Sequence, residues 1–262
     1  MCYSLQAQPP IPGNDDKPIT GNHLVLTAAD DSRLAAYAAH PQTPARTGVT
    51  VLPDARGLHS FYQGLVRRLA EHGHHAIAID YFSRTAGIGE RDQAFNFMEH
   101  VMRTSRDTLQ ADVAAAIAYL RTPEIGCECA FTLGFCLGGR LSFLTATTRQ
   151  DLCGVIGFYG FPGMGGPYRD PGPIQLADQI GAPVLAVMGG ADEGISSTQV
   201  SEFERALTLS GVEHEIVTYP DAPHGFFDVH QAQFAGASAD AWARTLDFIR
   251  RHSGTPQITL NH

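Results

Sequence analysis

Short apolar runs alternate with amphipathic stretches along most of the chain. Apolar residues recur at helical spacing between the runs, as at Phe61, Leu65 and Leu69. The apolar runs cover residues 49–52, 76–79, 130–135, 155–159, 184–188 and 215–219. Uninterrupted apolar strands that alternate with helices are typical of a parallel sheet covered on both faces. The pattern therefore predicts an α/β fold with a mostly parallel central sheet and helices on both faces.

An antiparallel element precedes this alternation. Residues 23–27 and 34–39 flank the turn Asp30-Asp31-Ser32, which is the pattern of a β-hairpin. Residues 1–20 hold several prolines and two aspartates, and we expect them to form an N-terminal extension. The length of 262 residues fits one α/β domain. We therefore predict a single domain over residues 21–252 and a C-terminal tail over 253–262.

Composition and charge argue against several classes of partner and of stabilising site. The formal net charge is −9 and the basic residues are scattered, which argues against a nucleic-acid partner. Because the chain has no apolar run of about 18 residues, we expect no membrane partner. The N-terminus lacks the pattern of a secretory signal, so a cytoplasmic location is expected. Five cysteines in a chain of this length predict neither a disulfide framework nor a structural metal site.

The segment 134–139, with the sequence GFCLGG, joins an apolar run to a helical stretch. A nucleophile elbow needs small residues on both sides, because its turn is sharp and packs closely against its neighbours. Gly134 and Gly138 supply this space. Cys136 would then lie at the N-terminus of a helix, where backbone N–H groups favour a thiolate. A buried cysteine in a glycine-rich turn is the alternative interpretation.

Two further candidates follow later strands. Asp192 comes shortly after the run at 184–188, although a turn or helix-capping aspartate would also fit that place. His224 lies just past the last run, between a proline and a glycine. The order of nucleophile, acid and histidine is that of the α/β-hydrolases. Because a histidine can take the thiol proton while a carboxylate orients the ring, the three residues predict a triad of Cys136, His224 and Asp192.

These three motifs, in this order and spacing, resemble the dienelactone hydrolase (carboxymethylenebutenolidase) family over about residues 24–249. The most specific mark is the cysteine in the elbow, where most α/β-hydrolases have serine. The resemblance implies an α/β-hydrolase fold that needs no cofactor and hydrolyses an ester or a dienelactone-like lactone through an acyl-enzyme intermediate. A small-molecule ester or lactone would be the partner, and we expect a monomer or a small homo-oligomer.

The resemblance also implies roles for residues outside the triad. Asp54 stands where the family has an acidic residue, usually glutamate, that activates the resting cysteine. Backbone N–H groups of Ala55 and Leu137 would form the oxyanion hole. Arg84 stands where an arginine binds the substrate carboxylate, with a surface arginine as the alternative. Asp228 is a departure, because members specific for dienelactone carry a second arginine there.

Two alternatives stay open. The first keeps the enzyme class and replaces the anionic lactone by a neutral ester or thioester, which the aspartate at position 228 favours. The second is a non-catalytic ligand-binding or thiol redox-sensing protein on the same fold, since an activated Cys136 would also be prone to oxidation. A sensor, however, has no need for both Asp192 and His224.

Overall fold

The computed structural model describes residues 8–13, 17–89, 91, 95–148, 151–165, 170–228 and 230–254. Its strands are β1 (Ile19–Thr27), β2 (Arg33–Pro41), β3 (Thr47–Leu52), β4 (His75–Ile79), β5 (Cys129–Phe135), β6 (Gly154–Phe158), β7 (Val184–Gly189) and β8 (His214–Tyr219). They form one sheet in the order β1-β2-β4-β3-β5-β6-β7-β8. The hairpin of β1 and β2 joins the sheet antiparallel to β4, and the other neighbours run parallel. The α/β fold and the opening hairpin are confirmed.

The helices alternate with these strands as the sequence pattern predicts. They are α1 (Ser60–Glu71), α2 (Ser83–Ala86), α3 (Phe97–Val101), α4 (Arg106–Leu120), α5 (Leu137–Thr145), α6 (Ser197–Leu209) and α7 (Ala235–His252). Capping boxes at Ser105 and Ser196 begin α4 and α6. The pattern did not predict α2 and α3, because helices of four and five residues are too short to show helical periodicity.

The parallel part of the sheet positions the candidate residues. Every residue of β3 to β7 is buried, which requires packed cover on both faces. The carboxyl ends of parallel strands meet at one edge of the sheet, and ligands of α/β proteins bind at that edge. The loops after β3, β5, β7 and β8 carry Asp54, Cys136, Asp192 and His224, so all four residues belong to this edge.

The first strand and the last helix can be compared with the predicted domain limits, which stay a prediction. β1 begins at Ile19, two residues inside the predicted extension, and α7 ends at His252. Residues 1–7 and 14–16 of the predicted extension and 255–262 of the predicted tail lie outside the described residues. In the part of the chain that is described, no helix has the length and apolar character needed to cross a bilayer.

A disulfide joins the start of β5 to the residue before β6. The Cα atoms of Cys129 and Cys153 are 5.7 Å apart, and the Cys153 N–H donates to the carbonyl oxygen of Ala130. We expected no disulfide framework from the small number of cysteines. That number does not show that two cysteines 24 residues apart lie at neighbouring strand ends. Cys127 and Cys136 are free. Disulfides persist mainly in oxidising compartments, so this bond gives no support to the predicted cytoplasmic location. That location stays a prediction.

We expect dithiothreitol to lower the Tm of the protein by about 6–12 °C. Closing a loop of this length stabilises a fold by roughly 3 kcal/mol, and each kcal/mol shifts the Tm of a large domain by about 2–4 °C. Calorimetry with and without reductant measures the shift. Cys153→Ser is the matched control, because its Tm should be low already and insensitive to reductant. An equal number of titratable thiols in denatured protein before and after reduction would contradict the prediction.

Candidate active site

Cys136 lies in the sharp turn between β5 and α5. Its backbone has φ 54° and ψ −110°, a conformation that residues other than glycine rarely adopt. The Cys136 N–H donates to the Phe158 carbonyl at 3.0 Å, and the Cys136 carbonyl accepts from the Arg140 N–H at 3.1 Å. Strain of this kind costs about 1–3 kcal/mol and persists only where the surrounding structure imposes it. The elbow predicted from the sequence is therefore present.

Two glycines allow this turn. A Cβ atom on Gly134 would lie 1.9 Å from the Gly138 carbonyl oxygen, and one on Gly138 would lie 2.0 Å from the Leu52 carbonyl oxygen. Both clashes are with backbone, which has no rotamer to change. Any larger residue would therefore push α5 away from β5 and β3, and the small residues noted in the sequence are a packing requirement.

Asp192 and His224 are directly bonded. His224 Nδ1 and Asp192 Oδ2 are 2.7 Å apart. The other carboxylate oxygen of Asp192 accepts the N–H groups of Gly194 and Ile195 at 2.8 and 3.2 Å. The Asp192 side chain is 1% exposed. The turn-aspartate interpretation is therefore true of one oxygen, while the other oxygen orients the histidine.

His224 lines the same cavity as Cys136. Burial alone would lower the pKa of the imidazole. The hydrogen bond to Asp192 and the interactions with Cys136 outweigh burial and raise the pKa of His224 to about 10. The raised pKa favours the protonated form of the imidazole.

A cavity of about 330 Å³ is lined by Cys136 and His224. Its other walls are mainly apolar and consist of Ala55, Met98, Val101, Leu137, Arg140, Tyr159, Phe161, Gly194 and Ile195. The Arg140 guanidinium donates to the backbone carbonyls of residues 161, 163, 165 and 170. Among the residues described, no cluster of histidine, cysteine and acidic side chains could hold a metal ion.

The residues proposed for the oxyanion hole and for activation lie near this cavity. Ala55 and Leu137 both line it. Asp54 precedes Ala55, and its Oδ1 accepts the Arg56 N–H at 2.9 Å and lies 4.0 Å from His59 Nε2. Burial, together with the charge of Arg56, lowers the pKa of His59 to about 4, so this contact is not an ion pair. The activating role of Asp54 stays a prediction.

Arg84 requires a correction. It follows β4 as expected, but it does not line the cavity that contains Cys136. Its guanidinium is bound to Asp112 at 2.6 Å and to Asp30 at 2.5 Å, and its side chain is only 9% exposed. The position in the sequence indicates the edge of the sheet, but the direction of the side chain is set by the buried Asp112. The structure therefore does not support a role for Arg84 in binding a substrate carboxylate.

Tyr159 is a cavity residue that the sequence analysis missed. It directly follows β6, its φ is 39°, and its phenol donates to Asp228 Oδ2 at 2.5 Å. Asp228 is buried and does not line the cavity. The aspartate at the expected arginine position therefore contacts a tyrosine that faces the site. A tyrosine before Gly160 at a strand end was the available signal, but it resembles an ordinary core residue.

The chain is similar to known proteins in sequence and in fold. The chain is 32% identical to a putative carboxymethylenebutenolidase of Synechocystis sp., over 87% of this chain and 95% of that protein. It is 28% identical to another of Methylorubrum extorquens, over 85% and 78% of the two chains. The fold matches a putative dienelactone hydrolase from Klebsiella pneumoniae with a TM-score of 0.79, at 24% identity over 89% of this chain and 99% of that one.

A second solved structure is a dienelactone hydrolase-like promiscuous phosphotriesterase from metagenomic libraries. It is 22% identical, with a TM-score of 0.71 over 89% of this chain and 98% of that chain. The model of the dienelactone hydrolase family matches residues 34–253, which is most of the chain. With the cysteine elbow and the shared fold, this match shows that the chain belongs to the dienelactone hydrolase family of α/β-hydrolases.

Proposed function

We propose that the protein hydrolyses a carboxylic ester or lactone with Cys136 as nucleophile, His224 as acid and base, and Asp192 as the group that orients the histidine. The observation that carries the proposal is the bond between His224 and the buried Asp192, at a cavity of about 330 Å³ that His224 and the strained Cys136 both line. Membership of a family of ester and lactone hydrolases supports the same reaction class.

In the first half of the reaction, the sulfur of Cys136 attacks the carbonyl carbon, and the thiol proton resides on His224. The N–H groups of Ala55 and Leu137 donate to the oxyanion that forms. When the C–O bond of the ester breaks, the His224 imidazolium gives its proton to the leaving oxygen. The acyl group is now bound to Cys136 as a thioester.

In the second half, a water molecule attacks the thioester while the neutral His224 takes one of its protons. The C–S bond breaks and releases the acid. The enzyme returns to a thiolate beside an imidazolium. The bond between His224 and Asp192 holds the ring in one tautomer, so the same nitrogen serves both transfers.

Among the substrates considered, the cavity favours a neutral ester or lactone over a carboxylated one. Its described walls are mainly apolar, and the guanidinium of Arg140 donates to backbone carbonyls. Arg84 is bound to carboxylates elsewhere, and Asp228 replaces a second arginine. A substrate carboxylate that leaves water without a cationic partner loses several kcal/mol of solvation.

Cys136→Ala should abolish measurable hydrolysis of p-nitrophenyl butyrate, a reduction of at least about 10³-fold, because the nucleophile is gone. The variant should keep the Tm of the parent, since the side chain is small and partly exposed. Iodoacetamide should label Cys136 before Cys127, because burial raises the pKa of the Cys127 thiol to about 12. Cys127→Ala is the matched control and should keep full activity. Equal labelling of both thiols would contradict the assignment.

The effects of His224→Ala and Asp192→Ala on kcat should not multiply. Groups that act as one unit show strongly non-additive losses, and Asp192 acts only through the ring that it orients. The double variant should therefore be about as slow as His224→Ala alone. Steady-state kinetics of the two single variants and the double variant measures this. A double loss equal to the product of two large single losses would show that the residues act independently.

Arg84→Ala should leave the preference between mono-p-nitrophenyl succinate and its methyl ester unchanged within about twofold, because the guanidinium lies outside the cavity. The free energy of unfolding should fall by about 3–5 kcal/mol, since a buried Asp112 is left without its cation. Matched kcat/KM values and thermal melts test both parts, with Arg84→Lys as the charge-preserving control. A rise in KM confined to the carboxylated ester would restore the substrate-binding role.

A further inference from the structure

Two neighbouring strands end in strained residues at the cavity. Cys136 follows β5 with φ 54°, and Tyr159 follows β6 with φ 39°. A bulky aromatic residue rarely adopts the left-handed region, and such strain is found mainly at functional sites. The Tyr159 N–H donates to the Val187 carbonyl at 2.7 Å, which maintains the turn. The strain of Cys136 is explained by the elbow, whereas that of Tyr159 needs a separate explanation.

The phenol of Tyr159 ties two loops together. It donates to Asp228 at 2.5 Å, and both side chains are buried. Burial, followed by the nearby carboxylate of Asp228, raises the pKa of Tyr159 well above its usual range, so the phenol keeps its proton and remains a donor. Asp228 lies four residues after His224, and its N–H donates to the Gly225 carbonyl at 3.2 Å. The phenol therefore connects the end of β6 to the loop that carries the histidine.

The ring of Tyr159 also faces the histidine directly. The two ring centroids are 4.9 Å apart with an angle of 55° between the planes. The His224 side chain is 42% exposed, so burial alone leaves it room to move. The bond from Nδ1 to Asp192 holds one atom of the imidazole but leaves the tilt of the ring about that atom open. A packed aromatic face removes this remaining freedom.

We propose that Tyr159 and Asp228 form a positioning pair that sets the tilt of the His224 ring toward the sulfur of Cys136. The loop after His224 carries Asp228, which binds the phenol of Tyr159. The ring of Tyr159 in turn packs against the imidazole of His224. The strained backbone of Tyr159 places its aromatic ring where it can contact both Asp228 and His224. In this proposal Asp228 helps to position the His224 ring and does not bind substrate. The inference rests on the proposed roles of Cys136 and His224.

The test compares Tyr159→Phe, Asp228→Ala, Asp228→Asn and the Tyr159→Phe/Asp228→Ala double variant in hydrolysis of p-nitrophenyl butyrate by the full chain. Tyr159→Phe and Asp228→Ala should each lower kcat about tenfold and leave KM within about twofold. The contacts with substrate are kept in both variants, whereas the bond between the phenol and Asp228, which holds the His224 ring in place, is lost. The double variant should be no slower than the slower single variant. Asp228→Asn should keep kcat within about threefold, since its amide oxygen still accepts the phenol proton.

Tyr219→Phe is the matched control, because Tyr219 also donates to a carboxylate, that of Asp240 at 2.7 Å, away from the cavity. It should leave kcat unchanged. If Tyr159→Phe and Asp228→Ala fold and lower only the Tm, with kcat within twofold of the parent, the pair is merely structural and the proposal is wrong. Independent losses that multiply in the double variant would also overturn it. Activity in Cys136→Ala would instead refute the proposed function itself.

Discussion

The contact between the backbones of Gly134 and Gly138 is the constraint on which the rest of the site depends. Because neither residue has a Cβ, α5 begins immediately after β5 and packs against the end of β3. This packing forces Cys136 into its strained conformation. It also places Leu137, the first residue of α5, at the cavity beside Ala55 of the loop after β3.

Charge at the cavity is arranged around one histidine. Asp192 is buried and has both oxygens occupied, and its bond to His224 helps to raise the pKa of the imidazole to about 10 against the opposing effect of burial. Two other charged residues near this edge have partners away from the cavity or outside its lining. Arg84 is held by two carboxylates, and Asp228 accepts a phenol. The walls that remain for the substrate are therefore mostly apolar.

The α/β fold and the triad candidates could be predicted from the sequence because both depend on local patterns. Buried strands appear as apolar runs, and an elbow needs glycine at fixed offsets from the nucleophile. Asp192 and His224 could be chosen because each directly follows a strand, and parallel strands end at one edge of the sheet. The helices α2 and α3 could not be predicted, although α3 supplies Met98 and Val101 to the cavity wall.

The sequence by itself determined the order of the strands along the chain, the elbow and the edge of the sheet at which the candidate residues lie. Only the tertiary structure decided where long side chains point. Arg84 turns to Asp112, Asp228 turns to Tyr159, and Cys129 meets Cys153, because each partner comes from a distant part of the chain. Such pairs follow from how strands and helices pack, and local spacing carries no information about them.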